Sequence, residues 1–146
     1  MCLVLTKDKI GKIFENAEKA QAFIKKYTNI SVNELVKDRE LFCAYLYCFV
    51  VYSQAVLTLA NYIIVKKKLE LPRNFQESLS ILIDNDIIPD HLEPQAKLMV
   101  ELRNLILHSE AEVSSDNVKA IIEGLPHFEE IYIAVKEEVN KILAEL

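Results

Sequence analysis

An all-α fold, an antiparallel helical bundle of about five helices, follows from three features of the sequence. Only two glycines (Gly11 and Gly124) and four prolines punctuate 146 residues, so turns are few and the elements between them are long. Hydrophobic residues make up 51% of the chain, enough for one core, and charged residues 27%, which excludes a disordered polymer. Apolar positions recur in steps of three and four, the spacing of a helix face. No linker, repeat or low-complexity tract interrupts residues 1–146, so a single helical domain is expected.

The first helix is expected from about Lys7 to Lys26, with Thr6 as N-cap and a packing seam of Ile10, Ile13, Ala17, Ala20, Ile24 and Tyr27. Ser31-Val32-Asn33-Glu34 reads as a capping box, hydroxyl and carboxylate each serving a free backbone donor, and it opens a short helical turn. A long helix then covers about Asp38 to Lys68. Leu71-Pro72 should stop it, because the residue before a proline avoids the helical region. The next helix, about Arg73 to Ile83, buries Phe75, Leu79 and Leu82 and ends at Asp84-Asn85-Asp86. Asp90, following Ile88-Pro89, caps another over about His91 to Leu107. After a polar loop from His108 to Ser114, Ser115 caps a helix that Gly124-Leu125-Pro126 should break. Its last piece buries Phe128, Ile131, Val135, Val139 and Ile142.

Several function classes drop out early. Two glycines cannot build a Gly-rich phosphate loop or a dinucleotide fingerprint. A net charge of −5 excludes a broad basic surface for nucleic acid, so any such contact must be local. Cys2, Cys43 and Cys48 fit no zinc or redox spacing, and Cys43 and Cys48 lie in an apolar run where cysteine acts as a small hydrophobe; a reduced, cytoplasmic chain with no metal is expected. The opening Met-Cys-Leu-Val-Leu-Thr lacks the basic stretch of a secretory signal. His91 and His127 stand at expected helix starts, where solvent exposure accounts for them.

From Leu41 to Val65 run 25 residues without a charge, long enough to span a bilayer and flanked by Lys66-Lys67-Lys68. On a helical wheel Tyr47, Ser53, Gln54, Thr58 and Asn61 share one arc of roughly 140°. Glu40 and Lys68 continue it at seven-residue spacing. A lone anchor has no use for such a stripe. The central helix of a bundle does, facing a cleft or a partner, so no membrane span is expected.

The helix that follows carries the chemistry. Arg103 lies at the centre of an apolar face, with Leu92, Ala96, Met99, Val100, Ile106 and Leu107 within about 60° of it. Its guanidinium is always charged, so such a position demands a partner or a ligand. Beside it runs a polar stripe of Lys97, Glu101, Asn104 and His108, with Asn104 and His108 one turn apart.

Arg103-Asn104-Leu105-Ile106-Leu107-His108 resembles the arginine, asparagine or aspartate, three-residue spacer and histidine signature of the HEPN superfamily. Its context resembles the HepT-like branch, toxins paired with minimal nucleotidyltransferases. Asp38-Arg39-Glu40 precedes a long helix carrying Tyr62-Ile63-Ile64 near its end, Ile87-Ile88-Pro89 leads toward the motif, and Leu125-Pro126 follows the motif loop. The likeness covers roughly Asp38 to Val135.

The resemblance implies a homodimer whose motif helices face each other across a cleft that cleaves RNA without metal or cofactor. It also implies a cognate minimal nucleotidyltransferase as antitoxin. Histidine can move the proton of a ribose hydroxyl or a leaving oxygen, and arginine can clamp a phosphate. His108 is thus the expected general base or acid and Arg103 the clamp. Asn104 would orient the histidine or hold a phosphate oxygen, with Lys97, Tyr47, Gln54 and Asn61 lining the cleft.

One departure stands out. HepT-like toxins often carry, two residues after the motif histidine, a tyrosine that the partner modifies with AMP. Here Ser109 and Glu110 follow His108, so no modification site is expected, and Glu110 places a negative charge beside the phosphate site. A nuclease controlled by masking, a weakened nuclease, and a non-catalytic nucleotide- or substrate-binding subunit of a nucleotidyltransferase all fit these residues.

Overall fold

A computed structural model describes residues 5–146, and every regular element among them is a helix. In order they are α1 (Lys7–Lys26), α2 (Val32–Lys37), α3 (Arg39–Lys66), α4 (Phe75–Asp84), a 3₁₀ turn (Asp90–Leu92), α5 (Glu93–His108), a second 3₁₀ turn (Glu110–Glu112) and α6 (Ser115–Ala144). Five of the helices have ten residues or more, and α2 is a single short turn between long partners. The reading of Cys2 and the first residues lies outside the described part.

The charge-free helix α3 is the axis of the bundle, and α1, α4, α5 and α6 pack around it. Tyr45, Phe49 and Tyr52 on it are fully buried. Phe49 meets Phe128 of α6 with ring centroids 5.8 Å apart, and the Tyr52 hydroxyl donates to the Phe128 carbonyl at 3.4 Å. Each such aromatic contributes on the order of 2 kcal/mol through burial. By length and composition α3 could cross a membrane, yet 56% of its most apolar stretch is buried against the other helices.

Helix directions follow from cross-helix pairs. Tyr52 meets Phe128 and Lys67 reaches Glu138, so α3 and α6 run the same way. Lys25 pairs with Glu129 and Lys136 with Glu18, so α1 runs opposite to α6. The short connection after α5 turns the chain straight back into α6, which sets α5 antiparallel to both α6 and α3. The C-terminal end of α5 therefore lies toward the N-terminal half of α3.

Some helix ends differ from expectation. Thr6 caps α1 as expected, accepting from the Lys9 amide at 3.2 Å. At Ser31 only half of the capping box forms: its hydroxyl accepts from the Glu34 amide, with no return bond from the Glu34 carboxylate. Helix α3 ends at Lys66, before Leu71-Pro72 can act. Lys68 takes a left-handed φ of 55°, and the Leu69 amide donates back to the Ile64 carbonyl at 2.9 Å. Helix α4 starts at Phe75 because Asn74 caps it, accepting from Glu77 at 2.8 Å. Asp90 caps nothing: it opens the 3₁₀ turn, and α5 begins at Glu93 with a proline in its first turn.

The largest correction concerns α6, which runs unbroken through Gly124 and Pro126 for 30 residues. Pro126 lies exposed, where the backbone carbonyl its ring leaves unpaired can reach water, while Val118, Ile121, Leu125, Phe128 and Ile131 bury the other face. A side chain at Gly124 would sit 2.6 Å from the Phe128 ring, so this glycine makes room for the aromatic one turn on. The helix starts one residue earlier than expected, at a true capping box between Ser114 and Asn117. His127 consequently lies inside α6 instead of at a helix start, beside Glu130, which His91 also approaches at 3.5 Å.

Candidate active site

Helix α5 presents Arg103 as its wheel demands, on the face that packs into the bundle. Leu92, Ala96, Met99, Val100 and Ile106 are buried around it, whereas Leu107 is 48% exposed and leaves the apolar face. Arg103 itself is only 9% exposed. Its Nε and Nη2 both donate to the Gln54 Oε1 of α3, at 3.0 and 2.5 Å. Nη1 donates to the Asn104 Oδ1 at 2.8 Å. The Phe75 ring of α4 lies against the guanidinium, 4.9 Å from its centroid to Cζ.

All of these neighbours are neutral. No carboxylate stands within ion-pair distance of Arg103 among the described residues, and burial alone draws its pKa down. Three of the five N–H groups of the guanidinium are engaged, which leaves two as free donors. Asn104 is exposed and uses its carbonyl oxygen on Arg103, so its amide nitrogen adds further donors. A buried cation surrounded only by neutral groups, with unused donors beside it, is suited to an anion.

His108 closes α5 and is exposed, one turn beyond Asn104, with no hydrogen bond to the described residues. Ser109 ends the helix, and Glu110 begins the exposed 3₁₀ turn after it.

The flanking candidates divide. Gln54 is the direct partner of Arg103. Asn61 instead joins helices, its side-chain oxygen accepting from the Ser78 hydroxyl of α4 at 2.7 Å. Tyr47 is 69% exposed, two turns before Gln54 on the same face of α3. Lys97 is exposed nearly two turns before Arg103 and makes no hydrogen bond there. Ser53, placed by the wheel in the polar arc, is fully buried and turns its hydroxyl back to the Phe49 carbonyl at 2.8 Å. Phe75, expected to be buried, is only half-buried, and its ring lies against the arginine; no spacing in the sequence links it to α5.

Two concave regions lie away from the motif residues. One is lined by Asp86–Asp90 and the α6 residues Ala134, Glu137, Glu138 and Lys141, and another by the end of α1 against Pro126. Cys43 and Cys48 are half-buried free thiols, and burial pushes the Cys48 thiol up, which disfavours the reactive thiolate.

Comparison with known proteins bears on this arrangement. The model of the HepT-like ribonuclease family matches residues 17–135. The mRNA nuclease HepT of Shewanella oneidensis is 30% identical over 86 residues, a stretch that spans 58% of this chain and 65% of that protein, just under two thirds of its length. Among solved structures, the tri-AMPylated Shewanella oneidensis HEPN toxin in complex with its MNT antitoxin superposes with a TM-score of 0.78 at 22% identity, covering 90% of this chain and 99% of that one. A toxin-antitoxin complex with AMP-PNP gives 0.76 at 22% identity, over 89% and 99%. At that identity the structural likeness is one of fold.

Proposed function

The chain belongs to the HepT-like ribonuclease family, and from that premise we propose that it is a metal-independent ribonuclease toxin. In this reading it acts in the cytoplasm as a homodimer, and a minimal nucleotidyltransferase is its antitoxin. The observation that carries the reading is Arg103: a buried guanidinium with neutral partners and two free donors, on a helix that ends in an exposed histidine. The nuclease activity of the Shewanella relative, and the nucleotidyltransferase antitoxin bound to the toxin of the same fold, support the substrate and the partner.

The chemistry suits these residues. His108 takes the proton of a ribose 2′-hydroxyl, and the 2′-oxygen attacks the adjacent phosphorus. The 5′-oxygen leaves with a proton supplied by the second histidine of the dimer, giving a 2′,3′-cyclic phosphate and a 5′-hydroxyl end. Arg103 and the Asn104 amide hold the non-bridging oxygens as negative charge builds on them. Two protomers facing each other would place two such cations in one cleft of an otherwise acidic body.

A second reading, a non-catalytic nucleotide-binding subunit of the nucleotidyltransferase, is favoured by one feature: no described side chain orients His108. Incubating the purified dimer with RNA in EDTA separates the two. The nuclease reading expects cyclic phosphate ends that disappear in His108→Ala; intact RNA with the wild-type dimer leaves only the binding subunit.

A further inference from the structure

We infer that Gln54 is the positioning residue of this site, fixing the Arg103 guanidinium in one orientation without neutralising it. The inference rests on the proposed role of Arg103 as phosphate clamp. The Nε and Nη2 edge of an arginine is the fork that carboxylates usually fill. Here one amide oxygen fills it from α3, at 3.0 and 2.5 Å. Arginine has only donors, so the oxygen of the amide must face it, and the other end agrees: Gln54 Nε2 donates to the Thr58 Oγ1, one turn along α3, at 3.2 Å. Thr58 thus fixes the amide, the amide fixes the arginine, and Phe75 covers one side of the guanidinium.

This arrangement gives the charge-free run of α3 a second meaning. No acid occurs between Glu40 and Glu70. A carboxylate at position 54 would make the same fork, but it would pair the arginine and remove the attraction for an anion. A neutral amide keeps the orientation and leaves the charge for the phosphate.

The test compares wild type with Gln54→Glu and Gln54→Ala. It follows the Arg103 Nε–Hε NMR signal, its response to inorganic phosphate, and RNA cleavage. The wild-type signal should be protected from exchange and should shift on adding phosphate. Gln54→Ala should lose the protection and lower kcat/KM for RNA on the order of a hundredfold, the scale of a misplaced catalytic group. Gln54→Glu should keep the fold and the protected signal and lose both the phosphate response and cleavage. An unchanged Arg103 signal and phosphate response in Gln54→Ala overturns the proposal, as does a Gln54→Glu protein that binds phosphate and cuts RNA like wild type. Should wild type cut no RNA, the nuclease reading falls, while the Arg103 signal and the phosphate titration still decide the role of Gln54.

Discussion

Arg103 is held on α5 by contacts from two other helices, Gln54 of α3 and Phe75 of α4. Its place among apolar neighbours was visible from helical spacing alone, because the period of a helix fixes which side chains share a face. What met it there was not visible: Gln54 lies 49 positions away and Phe75 on a third helix, and only the packing of three helices joins them. The buried tyrosines are a parallel case with a measurable consequence. Burial pushes the Tyr45 hydroxyl up to about 12 and those of Tyr52 and Tyr132 further. Below pH 10 each is neutral whether the chain is folded or not. Above it the unfolded chain ionises first, so stability must fall as pH rises from about 10, by about 1.4 kcal/mol per pH unit for each such group. Tyr52→Phe should therefore cost less than about 1 kcal/mol at neutral pH, since its hydrogen bond is long, and should flatten the alkaline loss by one group. Urea unfolding from pH 7 to pH 11 measures this; parallel curves for the two proteins would refute it.

At the scale of the helix, interiors were legible and several ends were not. Apolar steps of three and four located all five long helices, whereas Pro126 and Gly124 suggested a break that packing overrides. Both faces of the error have one physical source, since a helix end depends on backbone bonds that the side-chain pattern does not encode. With only two glycines, neither at positive φ, the chain builds left-handed helix stops from other residues. Lys68 at φ 55° ends α3, with the Leu69 and Lys68 amides returning to the Ile64 and Val65 carbonyls. Asp86 at φ 60° ends α4 in the same way, the Ile87 and Asp86 amides returning to Leu82 and Ile83. A side chain in that conformation costs about 1 kcal/mol or more. Glycine relieves the strain and loses part of the gain to its greater freedom when unfolded. Lys68→Gly should thus stabilise the protein by about 0.5 kcal/mol, read as a higher denaturant midpoint at constant m-value. A lower midpoint would show that Lys68 contributes more through its charge at the helix end than its backbone strain removes.

For the whole molecule, the acidic charge and the all-helical fold were plain from the sequence, while the geometry of the site was not, because residues far apart in the chain meet there only through the packing of α3, α4 and α5. Two concavities of the chain lie away from the face holding Arg103. Two large apolar side chains flank that face: Tyr47, 69% exposed on α3, and Leu107, 48% exposed one turn past Arg103 on α5. Because α3 and α5 run antiparallel, both belong to the same end of the site as His108. A second copy packed there would cover them and bring two Arg103–His108 sets together, which the proposed cleavage requires. Leu107→Glu should then yield a monomer in sedimentation velocity and abolish RNA cleavage while leaving the helical signal intact, since burying a carboxylate at such a contact is costly. Ile133→Glu, at an exposed site on α6, should leave the protein a dimer and an active one. A monomeric Leu107→Glu protein that still cuts RNA would mean that one protomer holds the complete site. A Leu107→Glu protein that stays dimeric would move the interface to another face.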